Sequence, residues 1–159
     1  MYCLLLRKRG HRVKLAEDGE KCLIIYNNKL KNIRDTTNPR EHVQPFDAVV
    51  LDHRMPKMNG LEVAKEIISL NPHQRIIIAS AYSGNIFEEA ADFFTLPLEI
   101  LQKPFSTSTL INILEDTKLY EELSKYLEDI DPVKKANLRH EQLKAIAELL
   151  NKHENKIDG

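Results

Sequence analysis

The segment Phe46-Asp47-Ala48-Val49-Val50-Leu51, apolar but for Asp47 and ending at Asp52, constrains the fold more than any other part of the chain. A run of this kind, without regular polar alternation, suits a strand covered on both faces, as in a parallel sheet flanked by helices. Arg75-Ile76-Ile77-Ile78-Ala79-Ser80 repeats the pattern, and Leu98-Glu99-Ile100-Leu101-Gln102 predicts a further strand before Lys103-Pro104-Phe105. Helical periods lie between these runs. After Asn59-Gly60, Leu61, Ala64, Ile67 and Ile68 share one face, and the helix should stop near Asn71-Pro72, where proline cannot continue the hydrogen-bond ladder. Ile86, Ala90, Phe93 and Phe94 predict a short amphipathic helix. Alternating strands and helices imply an α/β fold with a doubly wound parallel sheet, and right-handed crossovers fix most of its topology.

The N-terminal part fits the same scheme. Residues 1–9 are apolar and then basic and end at Gly10, as the last turns of a helix do when cations face its C-terminus and glycine stops it. Arg12-Val13-Lys14-Leu15-Ala16 alternates like a half-buried strand, and Asp18-Gly19 turns into a helix through Leu23, Ile24 and Tyr26. Residues 27–45 read as a long surface connection, helical at its start. Leu110, Ile113 and Leu114 begin a helix with a pattern that continues through Leu119, Leu123, Tyr126 and Leu127. Asp131-Pro132 then opens another, with Leu143, Ile146, Ala147 and Leu150 on one stripe. The expected organisation is a domain over residues 1–114 and a helical extension over 115–159, suited to packing on the domain or pairing with a second copy.

Composition excludes several classes. A formal net charge of -1 in 159 residues gives no reason to expect nucleic acid, which is held by concentrated basic surfaces. No apolar run approaches the roughly 20 residues needed to span a bilayer, so no membrane anchor is expected and a cytoplasmic location is the default. Cys3 and Cys22 form no CxxC pair, and His11, His42, His53, His73, His140 and His153 lack ligand spacing and read as surface residues.

Asp52, Ser80 and Lys103 come from distant parts of the chain, yet each falls at or just past the carboxyl end of a predicted strand. Ligands of open parallel sheets gather there, so the three side chains can meet in one shallow pocket. Taken singly, Asp52 reads as a turn-former, Ser80 as a strand-end hydroxyl and Lys103 as a solvated lysine. The stretch Leu51-Asp52-His53-Arg54-Met55-Pro56-Lys57-Met58-Asn59-Gly60, together with Ala16-Glu17-Asp18-Gly19-Glu20, Ser80-Ala81 and Lys103-Pro104-Phe105, resembles the receiver domain of two-component response regulators. The resemblance covers residues 1 to about 114 and implies a flavodoxin-like fold with strand order 2-1-3-4-5. It further implies that Asp52 is a phosphoacceptor for a sensor histidine kinase, with magnesium at Asp52 and the Arg54 backbone carbonyl. Lys103, before a cis peptide bond to Pro104, would supply an ammonium, and Ser80 would bind the phosphoryl group and report it. Asp18 is expected to be a turn residue rather than a metal ligand. Such a domain is a phosphorylated switch, not an enzyme.

By this resemblance the family's first strand, with its metal-binding acids, and the start of the first helix have no counterpart here. Magnesium prefers six oxygen ligands, so its site is expected to be incomplete, and phosphorylation of this chain alone slow or absent. A late start or a truncated chain is favoured over a natural fragment that borrows a strand, because open central edges are an aggregation hazard. Ile100 stands where many receivers carry a swinging aromatic residue, which would mute any switch, but simple packing in the strand is the preferred reading of this residue. The alternative function is a degenerate receiver that works as a phosphorylation-independent interaction or dimerisation module.

Overall fold

The computed structural model describes residues 2–36, 44–81, 86, 99–116 and 145. Among these residues seven elements are bounded, in order α1 (Tyr2–Lys8), α2 (Gly19–Arg34), β1 (Val49–Asp52), α3 (Gly60–Leu70), β2 (Ile76–Ser80), β3 (Glu99–Gln102) and α4 (Thr107–Glu115). The three strands form one parallel sheet in the order β1-β2-β3, with Leu51 opposite Ile78 and Ser80 opposite Gln102. The α/β, doubly wound, flavodoxin-like reading holds.

Helices on both sheet faces account for the unbroken apolar strands. Ile76 and Ile78 pack with Tyr26 and Leu30 of α2 and with Leu61, Ala64 and Ile67 of α3. Ile77, turned to the other face by the strand period, packs with Leu6, Leu101, Leu110 and Ile113, between α1 and α4. Burying one such isoleucine contributes about 1.5–3 kcal/mol, so the all-buried β2 is the centre of the core.

Local chemistry sets the helix ends. In α1, Gly10 takes a left-handed φ of 92°, and the amides of Gly10 and His11 donate to the Arg7 and Leu6 carbonyls, a Schellman closure. Asp18 caps α2 by accepting from the Lys21 amide at 2.8 Å. Asn59 and Glu62 form a reciprocal capping box on α3, and Ser106 caps α4. The predicted stop at Asn71 holds, while α2 continues to Arg34, beyond its clear apolar stripe; Arg34 donates to the Leu70 carbonyl at the end of α3.

One expectation is corrected. Residues 12–16 have no ladder and are not a strand. Alternation shows which side chains could be buried, but a strand exists only through backbone pairing, and no described strand pairs with this segment. The first strand is also shorter than its apolar run, beginning at Val49. Ile86 is helical and buried. The rest of the helix predicted around it, and the C-terminal helices expected past residue 116, lie outside the described residues, apart from residue 145, which is helical. No helix among the described residues is long and apolar enough to cross a membrane.

Tyr26 gives the core a pH signature. Its side chain is buried, its hydroxyl donates to Gln74 Oε1 at 3.2 Å, and Gln74 in turn donates to the Phe46 carbonyl at 2.7 Å. Burial pushes the phenol up to about 12. A folded value above the unfolded one gives stability that is present below about pH 10 and lost as pH rises through the folded value, at about 1.4 kcal/mol per pH unit. Urea unfolding across this alkaline range should show that decline, and Tyr26→Phe should flatten it.

Candidate functional site

The carboxyl ends of the three strands carry the site. Asp52 ends β1, and its side chain is 45% exposed, open enough to receive a reactant. Ser80 ends β2 and is buried. Lys103 follows β3, and its amide donates to the Ser80 carbonyl at 2.8 Å, extending the pairing by one bond beyond the strands. The Lys103–Pro104 peptide is cis, as the resemblance implies. Lys103 Nζ lies 2.5 Å from Asp52 Oδ2. The Arg54 amide donates to Asp52 Oδ1 at 3.1 Å. A lysine ammonium and a backbone amide therefore each engage one oxygen of the same carboxylate.

The structure thus joins Asp52 and Lys103 directly and places Ser80 on the intervening strand. It adds a residue that the sequence reading left on the surface. His53 is partly buried, and its Nδ1 is 3.4 Å from Ser80 Oγ. Its position directly after Asp52 was the available signal, but a scattered histidine gives no pattern from which to infer a contact 27 residues away.

The loop after Asp52 is held from two sides. Gly60 N–H donates to the His53 carbonyl at 3.1 Å, and the backbones pack so closely that a Cβ on Gly60 would lie 2.3 Å from the Asp52 carbonyl oxygen. Lys57, with a left-handed φ of 68°, places its ammonium 2.9 Å from Glu20 and 3.4 Å from Asp18. Glu20 first, and then Asp18, holds that ammonium's pKa above its ordinary value. The Lys21 backbone amide, with lesser help from Lys57, lowers the Asp18 carboxyl. Asp18 is therefore occupied as a helix cap and loop anchor, in keeping with its expected turn role.

The implied magnesium ligands are Asp52 and the Arg54 carbonyl. Both Asp52 oxygens already have partners, and no group of three or more His, Cys, Asp or Glu able to hold a metal occurs among the described residues. One carboxylate and one carbonyl fall well short of the near-octahedral oxygen shell that magnesium demands. The described residues do not by themselves make a magnesium site.

Comparison with known proteins agrees with this architecture. The family model for the response regulator receiver domain matches residues 2–115. The transcriptional regulatory protein ZraR of Escherichia coli K12 is 35% identical over 112 residues, covering 70% of this chain and 22% of that protein. The chemotaxis protein CheY of Thermotoga maritima is 33% identical over 91 residues, covering 50% of this chain and 70% of that protein. This chain thus spans about a fifth of ZraR. A crystal structure of a response regulator protein from Burkholderia pseudomallei, described with a phosphorylated aspartic acid, calcium ion and citrate, superposes with a TM-score of 0.52 at 16% identity. That likeness covers 90% of this chain and 88% of the other, and at such identity it shows the fold alone. With a family match across most of its length, on a sheet that brings Asp52, Ser80 and Lys103 to one end, the chain belongs to the response regulator receiver domain family.

Proposed function

We propose that Asp52 is the phosphoacceptor of this chain and that a phosphohistidine on a sensor histidine kinase is its donor, in the cytoplasm. The observation that carries the reading is the 2.5 Å contact between Lys103 Nζ and Asp52 Oδ2 at the carboxyl end of a parallel sheet. A carboxylate oxygen of Asp52 attacks phosphorus, a P–O bond forms as the P–N bond to the donor imidazole breaks, and the imidazole keeps the electron pair. Charge concentrates on the phosphoryl oxygens during transfer, and Lys103 is close enough to turn from the carboxylate to them. Ser80 would exchange its contact with His53 for a phosphoryl oxygen and so draw in the loop after β2. The chain is a stoichiometric acceptor, not a catalyst of turnover. A divalent cation would supply further positive charge, but it needs oxygen donors beyond the described residues.

A second reading is supported by that same shortage of metal ligands among the described residues: a receiver with an inert pocket that serves as an interaction or dimerisation module. Incubation with acetyl phosphate and magnesium, followed by intact-mass measurement, separates the two. The phosphoacceptor reading expects a slow gain of one phosphoryl group per chain and none in Asp52→Asn. No gain in either leaves the interaction module. An equal gain in both moves the acceptor away from Asp52 and sinks the proposal.

A further inference from the structure

A serine hydroxyl carries a single proton, and at the end of β2 two acceptors claim it in turn. In the unmodified chain the buried Ser80 Oγ lies 3.4 Å from His53 Nδ1. A phosphoryl group on Asp52 asks the same hydroxyl to donate to one of its oxygens. One proton cannot serve both, so each bond is made at the expense of the other. The position of His53 is fixed by its backbone: its amide donates to the Ala79 carbonyl at 2.9 Å, and its carbonyl accepts from the Gly60 amide at 3.1 Å. The register of the sheet explains the meeting. Asp52 lies opposite Ala79, and one step further along each chain brings His53 beside Ser80. Successive residues of an extended chain turn to opposite sides, so Asp52 presents its carboxylate to Lys103 while the ring of its neighbour goes to Ser80. When the hydroxyl turns away, the anchored imidazole stays behind and the contact is lost.

We propose that His53 is a positioning residue that brakes phosphoryl transfer, its Nδ1 accepting the Ser80 proton in the unmodified chain and so withholding the hydroxyl from the phosphoryl oxygens. This brake presupposes that Asp52 is the phosphoacceptor. Accepting at Nδ1 puts the ring proton on Nε2. Negative charge builds on the phosphoryl oxygens during transfer, and a donor already committed elsewhere must give up one bond to make the other. Only the fraction of molecules in which the bond to His53 has opened presents the hydroxyl, and the rate falls in proportion to that fraction. A neutral hydrogen bond shifts such an equilibrium by about two- to tenfold, and one as long as this belongs at the lower end, about two- to fourfold.

Two measurements on the full chain test the brake. In nitrogen NMR of the histidine-labelled chain, without any phosphodonor, Nδ1 of His53 should be the ring nitrogen without a proton, and its resonance should move in Ser80→Ala. The rate of phosphoryl gain from acetyl phosphate and magnesium is then followed by intact mass. His53→Phe keeps a flat ring, removes the acceptor and should gain the group about two- to fourfold faster than the native chain. His53→Asn, whose side-chain oxygen can take the place of Nδ1, should return to near the native rate, which a ring needed only for packing would not do. In a Ser80→Ala background His53→Phe should change nothing. His53→Leu repeats the comparison if the larger ring unsettles the fold. A proton on Nδ1, a rate unchanged or slowed by His53→Phe, a His53→Asn as fast as His53→Phe, or an acceleration that survives in Ser80→Ala each overturns the brake and leaves the phosphoacceptor reading standing. No gain in the native chain or any variant overturns both.

Discussion

Glu99→Ala is expected to destabilise the chain by about 3–5 kcal/mol, a large share of the roughly 5–15 kcal/mol that holds a typical domain together. Glu99 begins β3, and the residue it pairs with, Arg75, immediately precedes β2, at the end of the sheet opposite Asp52. The side chains are 9% and 3% exposed for Arg75 and Glu99, with Arg75 Nε 2.7 Å from Glu99 Oε1. The guanidinium also donates to the Ile113 carbonyl at 2.5 Å and the Leu114 carbonyl at 3.4 Å, in the last turn of α4. Removing the carboxylate leaves a full positive charge in a place that water barely reaches, with helix carbonyls that compensate only in part. Those carbonyls place the expected cost toward the lower end of the range. The pair as a whole contributes much less than this number suggests, since desolvating both ions offsets most of their attraction. The double replacement Arg75→Met with Glu99→Leu should therefore lose less than Glu99→Ala alone. Urea unfolding midpoints at constant m-value measure all three, and a Glu99→Ala loss below about 1 kcal/mol would show that water screens the pair.

Neither partner of that bond stood out in the sequence, where single charges flanking apolar runs look like solvated strand ends. Local signals were more informative. Gly10 after a basic turn marked the end of α1, Asn59-Gly60 marked the start of α3, and Ile76–Ala79 could only be a strand covered on both sides. The convergence of Asp52, Ser80 and Lys103 was legible because parallel strands deliver their carboxyl ends to one place, whatever the loops do. What failed was the 12–16 strand. Its alternation was real, but pairing is a property of two segments, and the pattern of one carries no information about whether a partner is present. Contacts between distant residues were hidden for a similar reason: His53 meets Ser80, and Lys57 meets Glu20, through loop geometry that no periodicity encodes.

Gly60→Ala sets two opposed effects against each other, and their sizes decide the sign. Gly60 is the first residue of α3, and alanine is better than glycine in a helix by up to about 1 kcal/mol, so propensity alone favours the substitution. Packing opposes it. The added Cβ would sit 2.3 Å from the Asp52 carbonyl oxygen, 2.9 Å from its carbon and 3.1 Å from the His53 Cα. All three are backbone atoms at the end of β1, held by the bond from the His53 amide to the Ala79 carbonyl, and they cannot rotate away. Overpacking typically costs about 1–3 kcal/mol, and a rigid obstacle this close puts the cost at the top of that range, for a net loss of about 2 kcal/mol. Gly19→Ala is the matched comparison, because its nearest obstacle, at 2.7 Å, is a methyl of the Val63 side chain, with the Met58 carbonyl oxygen no nearer than 3.1 Å. It should cost less. The Gly60 variant should also disturb the site, since the atoms that must yield carry Asp52 away from Lys103. That displacement is read from the chemical shift of the Lys103 ammonium in the Gly60 and Gly19 variants. A stabilised Gly60→Ala with an unmoved Lys103 would mean that the loop after Asp52 is loose, and that the α3 N-terminus does not position the carboxylate.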